Sequence, residues 1–496
     1  MKPNITKISS IIILIAFLAS CKKFQDFQLS PNNPTVADPA LLLANLERVA
    51  FSTVSTDPGL ASRQLVYTQS SSNAQYYGWQ RGSFDYNNIS QVVKMEQEAA
   101  RIGKLNYRYL GKFFRAYFIV DMTQMFGDIP YSKMMQSISD RNFSDSSATR
   151  PVYDKQQDIY LGVLNDLKIA GDSLATGQLP IQGDIIYNGD IEKWKKLINS
   201  FTLRVLISLS KKETDATLNI KQRFNDIISN PGKYPLFASN DDNGALHYFN
   251  ITGNQYPYYN DNSMKTDFYL DSSFVDILQG LKDPRLISFG KPTPASGQPR
   301  SNLNAYDGLV GSAPLDYNTN KRGLGKASQI NDRFAFDAIN EPSLLMGYPE
   351  LQFILAEAAV RGWTGDNANS LYKKGIEASL IFSNFHDTTY SQQNIDDYLA
   401  QPALDLQPGT EIKQIITQKY ISMFMNTGWQ PFFEQRRTGF PVFETVGAGM
   451  LNDGKIPKRW MYPTDEYNNN ATNVENAVKA QYPDGDDING TMWILQ

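Results

Sequence analysis

Residues 105–130 read LNYRYLGKFFRAYFIVDMTQMFGDIP, and the fold class turns on this stretch. Leu105, Tyr109, Phe113, Ala116 and Val120 recur at helical spacing and mark one apolar face. The pattern starts near Gln91 and predicts a long helix ending at Phe126. It must stop at Gly127-Asp128-Ile129-Pro130, where glycine supplies a cap and proline cannot continue the ladder.

Working outward, the same period returns several times. Helices are predicted from Pro151 to about Leu174, with Ile159, Val163, Leu164 and Leu167 inward, and from Asp190 to Ser210, carrying Trp194, Leu197, Ile198, Phe201 and Val205. Further helices follow over Pro349–Arg361, Ala368–Phe382, Ile395–Leu399 and Glu411–Phe424, with a short turn at Gly365-Asp366. On the N-terminal side Asp38 to Phe51 is helical, with Asp38 as N-cap and Pro39 in the first turn. Gln64 to Asn88 is polar, aromatic and aperiodic, and reads as a long surface loop. Ser137 to Arg150 also reads as a loop, and the tail from Leu451 as polar and irregular. Between about Asn230 and Tyr348 Gly, Pro, Asn and Asp become frequent, and helical signal is limited to about Thr266–Gly280. Helix pairs joined by short turns suggest a solenoid-like, mostly α scaffold. The expected organisation is one domain over 39–496, with helical scaffold at about 39–230 and 348–445 and a loop-rich insertion at about 231–347.

The chain has 496 residues, with one cysteine and two histidines. Cys21 follows an apolar run, Ile11 to Leu18, closed by Ala19 and Ser20, and Lys2 and Lys7 precede that run without any acid. This is the layout of a secretory signal over 1–20. Leu18-Ala19-Ser20-Cys21 resembles a bacterial lipobox, which makes Cys21 the lipidation site and 21–38 a tether. The run is too short to span a bilayer. With Cys21 modified, disulfides and Cys-ligated zinc are excluded. His247 and His386 form no metal-spaced pattern and no supported catalytic triad. The formal net charge is −4, and losing Lys2 and Lys7 with the signal leaves about −6, which argues against nucleic acid as a partner. Asp241-Asp242-Asn243-Gly244 and Asp484-Gly485-Asp486-Asp487 lack the ligand spacing of a calcium loop and read as solvated turns. No metal or cofactor is expected.

Several motifs, taken in order, resemble one family. Phe126-Gly127-Asp128-Ile129-Pro130-Tyr131-Ser132 resembles the FGDIPYS signature of SusD/RagB-like proteins. Trp194 to Arg204 (WKKLINSFTLR), Glu350 to Ala358 (ELQFILAEA) with Arg361-Gly362-Trp363, and Gln418-Lys419-Tyr420 followed by Glu434 to Pro441 (EQRRTGFP) are similar to its later elements. Asn32-Asn33-Pro34 fits as well. The resemblance implies tetratricopeptide-like helix pairs and a loop-rich ligand-binding half. It also implies an outer-membrane lipoprotein, lipid-anchored and facing the cell exterior, that binds oligosaccharide or another oligomeric nutrient for a SusC-like TonB-dependent transporter. Lys22-Lys23 stand where an acidic export signal is often found.

Glycan recognition uses aromatic faces with amides and charged groups at the rim. Tyr76, Tyr77, Trp79 and Arg81, followed by Asp85 and Tyr86, supply those types in one loop, whose place in the chain resembles that of the family's aromatic platform. The alternative is that Tyr77 and Trp79 plug the scaffold. Tyr256, Tyr258 and Tyr259, beside the stiffening Pro257, form a second candidate; the alternative there is tyrosines folded onto the body. Asp128, Arg204, Arg436 and Arg437 read as helix caps or internal ion pairs, and Trp194 and Trp363 as core. Two further functions compete with non-catalytic binding: a surface-anchored glycoside hydrolase, which needs two carboxylates across a cleft, and a structural lid of the transporter with little ligand contact.

Overall fold

The computed structural model describes residues 37–175, 180–384 and 390–496, so the signal segment, Cys21, Asn32-Asn33-Pro34 and His386 lie outside the described residues. The chain enters through α1 (Pro39–Ala50), whose first turn is capped by Asp38 Oδ1 accepting from Ala40 N at 3.0 Å. The run expected from Gln91 to Phe126 is two helices, α2 (Tyr86–Ile102) and α3 (Leu105–Phe126). Gly103, at φ 72°, takes the left-handed conformation that ends α2. Apolar positions resume on the far side, so periodicity alone does not show the break.

Next come α4 (Gln156–Ser173) and α5 (Ile191–Ser208), then, after the insertion, α6 (Tyr348–Val360), α7 (Ala368–Ser383), α8 (Glu411–Ser422) and α9 (Gln430–Thr438). Consecutive helices pack on one another from α1 to α7, and α8 packs on both α6 and α7. Each element thus buries its apolar stripe against its neighbours in the chain, which is the solenoid logic of stacked helix pairs. Trp194 sits at the middle of this core, fully buried and edge-on to Phe51, Phe113, Phe114 and Tyr187. Its indole N–H donates to Asp184 at 2.8 Å.

One antiparallel ribbon stitches the insertion to the scaffold, and a second closes the two ends of the insertion on each other. β1 (Leu65–Tyr67) pairs with β3 (Phe268–Leu270), and β2 (Gly244–Leu246) with β4 (Ser343–Met346). These strands are three or four residues long, too short for alternation to be read. Short helices at Asn262–Thr266, Ser272–Gly280, Arg285–Phe289 and Leu315–Gly323 extend the helical content beyond the expected Thr266–Gly280. Gln64–Asn88 is likewise not a continuous loop: it contains β1, a helical turn at Asn73–Tyr76 and the start of α2. The tail also departs from expectation, since it forms Thr464–Asn469 and α10 (Ala471–Gln481) before returning to α4, where Ile494 N donates to Gln156 Oε1 at 3.0 Å.

The motif residues act as structure. Asp128 Oδ1 accepts from Gln156 N at 2.8 Å and so holds the first turn of α4. Arg204 Nε donates to Glu350 Oε1 at 2.8 Å, and Arg437 is clamped between Glu357 and Glu434. Arg436 makes no ion pair among the described residues; its guanidinium donates to the carbonyls of Lys458 and Gln124 and lies 4.5 Å from the Phe433 ring centre. Trp363 is core. The two acidic runs are not simply solvated, because Asp242 is buried against Lys196 and Asp486 takes Arg81 and Arg459. Sequence proximity hides these partners. No helix among the described residues is long and apolar enough to cross a membrane.

Candidate functional site

The first aromatic loop turns inward. Tyr76, Tyr77 and Trp79 are 3 %, 0 % and 7 % exposed. Tyr77 donates its hydroxyl to Ala61 O at 2.8 Å beneath the Arg63 guanidinium. Trp79 stacks on Trp460 (4.6 Å, 8° between planes) and meets Trp429 edge-on at 5.6 Å, while its N–H donates to Arg459 O at 3.2 Å. Of the two arrangements the sequence allowed, these rings occupy the one that plugs the scaffold. Arg81 bonds Tyr462 O and Asp486 and lies over Tyr467, and Tyr86 donates to Glu466 at 2.8 Å. Both are therefore fastened to the C-terminal segment.

The second loop behaves similarly. Tyr256 is buried between Tyr248 and Phe334, whereas Tyr258 and Tyr259 are half-buried on the core. The Tyr258 hydroxyl accepts from Thr56 N at 3.0 Å. The first loop thus packs through Trp79 on Trp429, and the second bonds through Tyr258 to the first residue of the short Thr56–Ala61 helix.

Trp429 and residues 52–58 border a cavity of about 210 Å³, walled also by α3, α5 and the turn before α9. Tyr117 and Asp121, one turn apart on α3, share a face and both line it. Trp429, partly exposed, closes one side, and Thr427 and Gln430 flank it. The turn is held in an unusual backbone: Met425 and the β-branched Thr427 have φ of 54° and 61°, and Asn426 pins them by accepting from Leu344 N at 2.7 Å and donating to Pro342 O at 3.0 Å. Such residues persist where surrounding structure fixes them, and they cluster at binding sites.

The electrostatics single out Asp121. It is the only acidic residue in α3 and makes no hydrogen bond or ion pair among the described residues. Burial, reinforced by the Asp85 carboxylate and opposed by Arg436, pushes its pKa up to about 7. Burial and the Asp121 charge raise the Tyr117 hydroxyl in turn. Thr427 Oγ1 is buried without a partner. Buried polar atoms are normally paired, so the Thr427 hydroxyl, together with the half-buried Asp121 carboxylate and Tyr117 hydroxyl that find no partner among the described residues, marks a place where a ligand or water completes the set.

A larger groove of about 430 Å³ runs between α4 and α10 past Tyr153 and Trp493. Its amides are mostly engaged already: Gln157 donates to Asp215, Asn473 to Arg150 O and Gln481 to Tyr462. The Asp121 cavity is the better candidate.

Sequence reading identified the aromatic loop that supports this cavity but missed the residues that line it. The signals that could have found them are a tryptophan just beyond the last predicted helix, Trp429, and the single acid of the 105–126 helix, Asp121.

Comparison with known proteins agrees with this architecture. The family described as "Starch-binding associating with outer membrane" (SusD-like) matches residues 31–463. A SusD homologue from Bacteroides fragilis is 40% identical and superposes with a TM-score of 0.84 over 93% of this chain and 99% of its own. Another from the same species is 30% identical, with a TM-score of 0.85 over 92% of this chain and all of that one (100%). A protein described as chitin-binding is 26% identical, with a TM-score of 0.75 over 92% of this chain and 99% of that chain. Among curated proteins none matches. The chain belongs to the SusD-like family of starch- and nutrient-binding proteins associated with the outer membrane.

Proposed function

We propose that this chain is a non-catalytic lipoprotein, anchored through Cys21 on the outer face of the outer membrane, which captures an oligomeric nutrient and passes it to a SusC-like TonB-dependent transporter. The observation that carries the reading is the Asp121–Trp429 cavity, with its free polar groups and one partly exposed indole beside the buried aromatic loop. A pocket of this size takes one residue of an oligomer rather than the whole. In this reading Trp429 and Tyr117 touch the ligand, Tyr76, Tyr77, Trp79 and Tyr256 hold the wall, and Arg81, Tyr86, Tyr258 and Tyr259 fix the loops around it. The SusD-like membership supports binding without turnover, and the chitin-binding relative supports a glycan.

Affinity electrophoresis of the chain without its lipidated N-terminus, over a panel that includes starch and chitin, tests the reading. Retardation by one polysaccharide, lost in Trp429→Ala, is the expected result. No retardation by any member of the panel, or release of product from it, would overturn a non-catalytic glycan-binding role.

A further inference from the structure

The charge of the cavity is lopsided. Two charged side chains line it, Arg204 and Asp121. Arg204 is already neutralised: Glu350 takes its Nε and Nη2, and Leu345 O accepts from Nη2 at 2.7 Å. Asp121 has no such partner. The groups that face it from neighbouring elements do not supply one. Asp85, at the start of α2, adds a second negative charge while its oxygens accept from Asn88, at 2.7 Å for the side-chain amide. Arg436 on α9 lies on the favourable side, yet its guanidinium is held by the Lys458 and Gln124 carbonyls rather than by Asp121. The Tyr117 hydroxyl is neutral and has no hydrogen-bond partner among the described residues. A half-buried carboxylate left facing a cavity this way is stabilised by any counter-charge that reaches it.

The walls suit such a counter-charge. Tyr117 and Trp429 present aromatic rings to the same space, and rings attract cations through their negative faces. Thr427 Oγ1, 5 % exposed by residue and without a partner, offers a hydroxyl acceptor to an N–H donor in the cavity. Carboxylate, hydroxyl acceptor and aromatic rings around a small volume form a receptor for a compact cation carrying N–H groups. A neutral sugar hydroxyl would use the acceptors but not the charge.

We infer that the cavity takes a ligand unit bearing a primary ammonium group, seated between the Asp121 carboxylate and the Trp429 and Tyr117 rings. This rests on the binding role proposed above and names the chemistry of the unit bound. The ammonium replaces water at Asp121, and binding requires the carboxylate ionised. Because Asp121 titrates near 7, affinity rises with pH through neutrality and levels off above it. A protonated Asp121 acting as donor to a sugar hydroxyl would give the opposite slope.

Calorimetric titration with 6-amino-6-deoxyglucose and with glucose, at about pH 6 and about pH 7.5, tests the assignment on the unmodified binding chain. The aminosugar should bind about tenfold tighter than glucose at the higher pH and weaken severalfold at the lower one. Asp121→Asn, of nearly the same shape, should abolish the preference while its thermal melt stays within a few degrees. The sugar pair and the pH series need no variant, so the assignment stays testable even if Asp121→Asn misfolds. Equal binding of the two sugars, weaker aminosugar binding at higher pH, or binding of neither would each overturn it. If the aminosugar binds while no polysaccharide is retarded, the glycan-binding role fails and the ammonium site stands. If a polysaccharide is retarded but the two sugars bind equally, the reverse holds.

Discussion

Trp79 shows how a residue can be legible in sequence while its role is not. Its loop announces aromatic chemistry, but the partners that bury it, Trp429 and Trp460, come from the far end of the chain. No periodicity links such distant segments. The division of labour is testable at these two side chains. Trp79→Ala removes a 7 % exposed indole from a packed cluster and should cost about 3–5 kcal/mol. It should therefore lower the melting temperature and weaken ligand binding together. Trp429→Ala removes a ring that already faces the cavity, so binding should fall with a much smaller change in melting. Equal melting shifts for both variants would mean that Trp429 is as structural as Trp79. Asp121 was not singled out in the sequence, where its one signal is being the single acid of its helix, and the cavity gives that acid a place.

At the scale of elements, the helices of the scaffold were readable because their apolar residues recur at helical spacing, and their starts were readable because Asp38 and Asp190 stand at the N-termini. What escaped were boundaries and ribbons: the Gly103-Lys104 turn, four very short strands, and α10, which buries just Val474 and Ala477. The docking of α1 escaped as well, because it depends on two acids meeting. Glu47, fully buried on α1, accepts from Ile185 N at 2.7 Å and faces Asp184, which itself accepts from Ile186, Tyr187, Gly189 and Trp194. Burial first, then the Asp184 charge, pushes Glu47 up to about 10. The folded chain thus keeps a proton that the unfolded chain loses near its ordinary value of 4.5. Stability from this group is complete below that value and declines as pH rises toward 10, by at most about 1.4 kcal/mol per unit. Glu47→Gln is neutral at every pH, so its melting temperature should fall less than wild type between about pH 6 and about pH 9. Parallel declines in the two proteins would show that Glu47 does not carry the proton.

Across the whole molecule, one buried chain of charges joins the helices that the insertion separates. Arg204 on α5 pairs with Glu350 on α6, Lys419 on α8 lies 3.7 Å from Glu350 and 2.8 Å from Glu434, and Arg437 on α9 returns to Glu357 on α6 at 2.5 Å. Three buried cations face three buried carboxylates, and the partly exposed Arg361 adds a fourth cation on Glu357 at 2.8 Å, so each carboxylate is held in its charged form. These are also the residues through which the sequence resembles its family, which means that the family's motifs here mark the joint between the two halves of the scaffold rather than the ligand. Burial works against ionisation of Glu434, but Arg437 and Lys419 prevail and hold its pKa down to about 2. Glu357 is lowered as well, with Arg437 again the main opposing charge to its burial. A depressed carboxylate contributes stability above its unfolded value near 4.5 and loses it as pH falls toward 2. The protein should therefore lose stability steeply below about pH 4.5, whereas between about pH 6 and about pH 4.5 the raised carboxylates Glu47, Asp121 and Asp128 make the melting temperature hold or rise as pH falls. Glu434→Gln leaves Lys419 and Arg437 short of a charge and should cost about 3–5 kcal/mol at neutral pH, while flattening the acid limb. A variant that melts like wild type at neutral pH, or keeps the full acid slope, would show that the two halves are held by apolar packing and that the charges merely fill the joint.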